Sequence, residues 1–158
     1  VLSQIYLKFG VQTTFKDNFI IIKKTSAAYE MDTINLDLNN APDIAQTIAV
    51  TAYGLGLTCH LTGLHTLKIK ETDRLEALKT ELEKLGDNVE ITNESLTLHK
   101  SNLPSPNVAI DTYNDHRMAM AFAPLSLVRD ISINNADVVS KSYPDFWEDL
   151  NHLGISIK

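Results

Sequence analysis

The feature that most narrows the fold is an internal repeat. Tyr6-Leu7-Lys8-Phe9-Gly10 and Leu82-Glu83-Lys84-Leu85-Gly86 both read as the end of an amphipathic helix stopped by glycine. Each leads into two β-prone runs, residues 13–16 and 19–23 after the first and residues 89–92 and 96–99 after the second. The two glycines stand 76 positions apart, and at that offset Lys8 meets Lys84, Asp17 meets Asn93, and Ile20 and Ile22 meet Leu96 and Leu98. Asp17-Asn18 and Asn93-Glu94 have the composition of hairpin turns. A second recurrence has a period of 72: Asp43 and Asp115 each stand at the opening of a helix, and residues 58–64 and 130–136 are both strand-like. A third helix–glycine–strand passage begins at Leu150-Asn151-His152-Leu153-Gly154-Ile155. The unit reads strand, helix, strand, helix, strand, strand. That predicts an α/β (α+β) fold of repeated units.

Apolar spacing supplies the helices. Leu75, Leu78, Leu82 and Leu85 share one face of a helix over about residues 73–85, with Thr72 as its N-cap and Gly86 as its stop. Ile44, Ile48 and Leu55 mark the helix after Asp43, and Ala45, Ala49 and Ala52 keep one flank small enough for close packing. Residues 118–123 are apolar all round, which predicts a buried helix that Pro124 kinks or ends. Phe146, Trp147, Leu150 and Leu153 form a last amphipathic helix, with Pro144 near its first turn. Residues 102–107, with Pro104 and Pro106, read as a loop.

Composition excludes several function classes. The 44% hydrophobic and 22% charged fractions are those of an ordinary globular domain, and 158 residues suffice for one core. No run approaches the ~18 apolar residues of a membrane span. A net charge of −6 argues against a nucleic-acid partner. The lone Cys59 permits no intrachain disulfide or cysteine-based metal cluster, and His60, His65, His99 and His152 have no metal-ligand spacing, so neither metal nor cofactor is expected. A reducing, cytoplasmic location is expected. Because residues 1–10 read as the end of a helix, the chain is expected to be part of a longer one, with any targeting segment upstream.

Charges gather where strands give way to helices. In Lys68-Ile69-Lys70-Glu71-Thr72-Asp73-Arg74, an incoming strand would point Lys68 and Lys70 to one face, with Glu71 and Arg74 at the mouth of the helix. A cation in a first helical turn opposes the helix dipole by ~0.3–1 kcal/mol, so Arg74 hints at an anion site as well as at a salt-bridged helix start. Asp115-His116-Arg117 leads into the apolar helix, either as a cap with locally satisfied neighbours or as one wall of a cavity. Asp43 with Gln46 has the spacing of a capping box, and Lys141 alone reads as a surface residue. If the repeated units pack about a common axis, these ends converge. Several cations and two carboxylates at one place suit acid–base chemistry on a small anion.

These runs resemble a known family. Asn40-Ala41-Pro42-Asp43, Lys70-Glu71-Thr72-Asp73-Arg74, Tyr113-Asn114-Asp115-His116-Arg117-Met118-Ala119-Met120 and Lys141-Ser142-Tyr143-Pro144-Asp145-Phe146-Trp147 occur in the order found in the 3-phosphoshikimate 1-carboxyvinyltransferase (EPSP synthase) branch of the enolpyruvyl transferases. The resemblance runs from about Val1 to about Gly154. It implies units of two helices on a four-stranded mixed sheet, three to a domain, in enzymes whose two domains close over phosphoenolpyruvate and shikimate 3-phosphate. Residues 1–158 would then be the C-terminal part, about two units and the start of a third, with an N-terminal domain of the same polypeptide as partner. The implied reaction moves the enolpyruvyl group onto the 5-hydroxyl of shikimate 3-phosphate by addition and elimination.

Carried over by motif, Asp43 is the base for the acceptor hydroxyl, Glu71 the acid and base at the methylene carbon, and Lys70 a neighbour that shares proton transfer. Arg74 and Arg117 clamp the phosphoenolpyruvate carboxylate, and His116 and Lys141 sit near the phosphate. Thr66 stands where some members carry an asparagine that contacts shikimate 3-phosphate. The family's Ser-Ser-Gln run and further anion ligands lie upstream of this stretch, so the chain alone is expected to fold without synthase activity. Alternatives are an enolpyruvyl transferase acting on a UDP-sugar, against which the run from Lys70 to Arg74 argues, and a non-catalytic α/β binding module. A relative acting on RNA ends conflicts with the acidic charge.

Overall fold

The computed structural model describes residues 1–25, 32–69, 73–99 and 107–158. Lys70, Glu71, Thr72 and most of the expected loop at residues 102–107 lie outside the described residues. The chain forms two compact units, Val1–Asp32 and Thr33–Lys158.

In the smaller unit, helix α1 (Leu2–Lys8) buries Ile5 and passes through Gly10 into an antiparallel hairpin. Strands β1 (Val11–Phe15) and β2 (Ile20–Lys24) pair with Phe15 opposite Ile20. The Lys16 N–H donates to the Phe19 carbonyl at 2.9 Å, closing the turn at the expected Asp17-Asn18.

The larger unit follows the predicted order. It runs β3 (Thr33–Asp37), a 3-10 turn (Pro42–Ile44), α2 (Ala45–Gly54), β4 (Thr58–Thr62), a second 3-10 turn (His65–Ile69), α3 (Arg74–Lys84), β5 (Asn88–Ile91) and β6 (Leu96–His99). The sheet order is β3-β4-β6-β5, parallel between β3 and β4 and antiparallel elsewhere. Strand alternation splits this sheet into two chemistries. Ile34, Cys59, Leu98 and Val89 form one registered row across all four strands, each about 1% exposed or less. The neighbouring row, Asn35, His60, Thr97 and Glu90, is polar, with His60 Nδ1 2.8 Å from the Thr97 hydroxyl. Helices α2 and α3 close over the apolar rows.

The order then begins again, with β7 (Val108–Ile110), α4 (His116–Phe122), β8 (Ile131–Ile133) and α5 (Phe146–His152). Strands β7 and β8 are parallel, as β3 and β4 are. Pro124 ends α4 in a 3-10 turn (Ala123–Leu127), and a further 3-10 turn (Ala136–Lys141) follows β8 as His65–Ile69 follows β4. Among the described residues no helix is long and apolar enough to cross a membrane.

Helix α3 shows how local sequence sets an element. Asp73, not Thr72, is its N-cap: one carboxylate oxygen accepts the N–H groups of Leu75 and Glu76, both at 3.1 Å. Leu75, Leu78, Leu82 and Leu85 are essentially inaccessible, worth about 2 kcal/mol each in removed apolar surface. At the other end the Gly86 N–H donates to Glu83 and that of Asp87 to Leu82, the Schellman pattern, with Gly86 at φ +92°.

Three expectations need correction. Residues 65–69 form a 3-10 turn and not a strand, because Leu64 and Leu67, three apart, both turn into the core. Asp43 and Gln46 make no capping box: α2 has no side-chain cap, and both residues turn toward the Arg74 cluster described below. Leu55 and Leu153 are exposed at 38% and 79%, since each is the C-cap residue beyond its helix. The buried residues of α2 are the expected Ile48 together with Val50, Gln46 and the small flank Ala45, Ala49 and Ala52, and α2 packs against α4.

Gly63 turns the chain off the sheet at φ +75°, and a Cβ there would lie 2.4 Å from the Asn39 nitrogen. Gly56, at φ +68°, has nothing within 4 Å. Gly63→Ala is therefore expected to destabilise the fold by about 3 kcal/mol and Gly56→Ala by about 1 kcal/mol, read as shifts in urea unfolding midpoint.

Candidate active site

Three segments of the larger unit meet on Arg74, the first residue of α3. The Asp73 cap starts the helix at Arg74, one residue later than a Thr72 cap would, and Arg74 is buried there at 1% exposure. Its Nε donates to Asp115 Oδ2 at 2.6 Å, and its Nη1 donates to Asp43 Oδ1 at 3.0 Å. A charge taken out of water needs such partners, and removing one of them costs about 3–5 kcal/mol. The two carboxylates also offset the helix dipole that a first-turn cation opposes.

Asp115 caps α4 by accepting the Arg117 N–H at 2.9 Å, and Gln46 Nε2 from α2 donates to its other oxygen at 3.5 Å. Burial pushes the Asp115 carboxyl up, but the Arg117 N–H, Arg74 and Gln46 outweigh it and hold the group below the ordinary carboxylate range. Asp43 lies on the 3-10 turn ahead of α2 with its side chain 45% exposed. Its second oxygen accepts from Arg117 Nη2 at 3.4 Å, so two guanidinium groups meet on one half-exposed carboxylate.

Of the residues expected from sequence, Asp43, Arg74 and Arg117 are therefore brought into one bonded cluster. His116 is half-buried as the first residue of α4. Thr66 lies on the turn His65–Ile69, and its hydroxyl is buried with no hydrogen-bond partner among the described residues. Lys141 is exposed at the end of the turn Ala136–Lys141. Lys70 and Glu71 lie outside the described residues. Sequence reasoning did not select Asp115 and Gln46 for the site. The 72-residue period was a signal for Asp115, because it superposes Asp115 on Asp43. No such signal existed for Gln46, whose role depends on the packing of α2 against α4.

The arrangement can bind and orient an anion. Arg117 presents a guanidinium that is one-third exposed, and Asp43 offers a carboxylate able to accept a proton beside it.

A family model described as EPSP synthase (3-phosphoshikimate 1-carboxyvinyltransferase) matches residues 1–150. The chain belongs to the EPSP synthase family. A relative from Bacteroides fragilis named 3-phosphoshikimate 1-carboxyvinyltransferase is 42% identical over 99% of this chain and 38% of its own length. One of the same name from Paraburkholderia phymatum is 38% identical over 90% of this chain and 33% of its own length. The chain thus spans a little over a third of the family members it matches. A solved structure of EPSP synthase from Acinetobacter baumannii superposes with a TM-score of 0.76 at 23% identity, over 98% of this chain and 39% of that one. The family fold of helices on a mixed four-stranded sheet is thereby shared.

Asp115 has a pKa below that of an unfolded aspartate, so its stabilisation is complete above about pH 4 and disappears as pH falls through the lower folded value. Asp115→Asn is expected to destabilise the fold by about 3 kcal/mol at neutral pH. That gap should shrink below about pH 4, as read from urea unfolding midpoints measured across pH.

Proposed function

We propose that this chain is the C-terminal part of an enzyme that transfers the enolpyruvyl group of phosphoenolpyruvate to the 5-hydroxyl of shikimate 3-phosphate, releasing phosphate. The observation that carries the reading is the convergence of Arg74 and Arg117 on the Asp43 carboxylate, on the ends of repeated units. Two guanidinium groups that already share one carboxylate are suited to a second, and an incoming phosphoenolpyruvate carboxylate would compete with Asp43 for them.

In the proposed cycle Glu71 delivers a proton to the methylene carbon while Asp43 takes the proton of the attacking 5-hydroxyl, giving a tetrahedral adduct. Glu71, with Lys70 beside it, then recovers a proton from the new methyl group as the C–O bond to phosphate breaks, and the proton taken up by Asp43 leaves with the phosphate. His116 and Lys141 balance the charge of the leaving phosphate, and Thr66 faces the acceptor. An N-terminal domain of the same polypeptide supplies the remaining anion ligands and excludes water on closure. The names of the relatives support shikimate 3-phosphate over a UDP-sugar as acceptor.

In the whole polypeptide, Glu71→Gln is expected to lower turnover by roughly a thousandfold or more with the fold intact, in an assay of phosphate release dependent on both substrates. Unchanged turnover would remove Glu71 from the chemistry and favour a binding module. The isolated chain is expected to fold and show no turnover; rates near those of the whole polypeptide would contradict the two-domain reading.

A further inference from the structure

A second polar network lies on α3, two turns beyond Arg74, and the site described above does not use it. Glu81 is fully buried in the last turn of the helix, at 0% exposure. Its Oε1 accepts from the Tyr113 hydroxyl at 2.6 Å and from Lys84 Nζ at 2.8 Å, and its Oε2 accepts the Asp111 backbone N–H at 3.1 Å. Lys84 also donates to Asp111 Oδ2 at 2.7 Å, and Asn134 donates to Asp111 Oδ1 at 2.7 Å. Burial and the Glu81 carboxylate push the Tyr113 hydroxyl up to about 12, so it remains a donor at any working pH.

The bonds are made to one particular segment. Asp111 and Tyr113 lie at the end of β7, and two residues later Asp115 binds Arg74. Between them Tyr113 and Asn114 both adopt the left-handed backbone region, at φ +54° and +58°. Consecutive non-glycine residues rarely hold that conformation unless their surroundings impose it. Glu81 binds the segment before the bend at the Asp111 N–H and within it at the Tyr113 hydroxyl, and Arg74 binds it just after, both from the same helix. The bend carries the chain into α4, whose first residues are His116 and Arg117.

We infer that Glu81 is a positioning residue for the anion site: by holding the Asp111 N–H and the Tyr113 hydroxyl it fixes the left-handed bend that sets Asp115, His116 and Arg117 against Arg74. This rests on the function proposed above for its kinetic consequence, but not for its geometry. Burying a carboxylate inside an amphipathic helix is costly unless it is fully bonded. A leucine there would extend the apolar face, so the bonds to the segment supply the reason for the carboxylate.

The test uses Tyr113→Phe and Glu81→Gln in the whole polypeptide, two small changes that keep side-chain volume. Both are expected to raise KM for phosphoenolpyruvate about tenfold, leaving KM for shikimate 3-phosphate within about twofold. Amide hydrogen exchange at Arg117, whose N–H is held by Asp115, is expected to accelerate in both variants while exchange in β4 does not change. A role in stability alone predicts a lower unfolding midpoint with neither the selective KM change nor the local exchange change, and that result overturns the inference. Turnover by the unaltered protein with normal kinetics in both variants would also overturn it while leaving the proposed function standing. If the unaltered protein shows no transfer at all, the proposed function fails, and the exchange at Arg117 still decides whether Glu81 positions the bend.

Discussion

A guanidinium that is 99% removed from water organises the larger unit. A guanidinium taken out of water needs hydrogen-bond acceptors, so every packing of α3 that buries Arg74 must also deliver acceptors to it. Those acceptors come from two other places in the chain, the turn ahead of α2 and the cap of α4. The ion pairs therefore fix the mutual placement of three helix openings, which hydrophobic contact alone leaves adjustable. Helix α2, which buries Ala45, Ala49 and Ala52, packs against α4, and Gln46 of α2 bonds to the Asp115 cap of α4.

The same arrangement gives the site its character. One of the two carboxylates is consumed structurally: Asp115 is buried, bonded to Arg74, Gln46 and the Arg117 N–H, and is held ionised. The other, Asp43, keeps almost half its side chain in solvent and is bonded to both arginines. Two aspartates at equivalent points of successive units thus divide into an anchor and a candidate reacting group. Asp115 caps α4 after a left-handed bend and is buried, whereas Asp43 lies within a 3-10 turn and stays half-exposed.

Much of the architecture was legible beforehand, because it depends on local periodicity. The four leucines of α3 and the paired runs on either side of Asn93-Glu94 specify their elements with period 3.6 or 2. The misreadings came where a short segment satisfied more than one local rule. Asp43 and Gln46 match a capping box, but distant partners with full charges outcompete a local cap worth about 1 kcal/mol. Thr72 and Asp73 are both capping residue types, and it is the Asp73 side chain that accepts the Leu75 and Glu76 N–H groups. Residues 65–69 look extended until Gly63 swings the chain off the sheet and Leu64 and Leu67 enter the core together.

By itself the sequence determined the repeated order of elements, the apolar faces, the helix stops and the family to which the chain belongs, all of which are carried by residues close together or by motifs read in order. Tertiary structure alone decided which charges meet. That Asp115 closes on Arg74 across 41 positions, that Arg117 reaches Asp43 across 74, and that Glu81 holds the bend at Tyr113 across 32 are long-range facts. The repeat suggested that the helix openings converge, but it did not specify which charges pair, because an ion pair's strength depends on distance and burial, and both exist only after the units have packed.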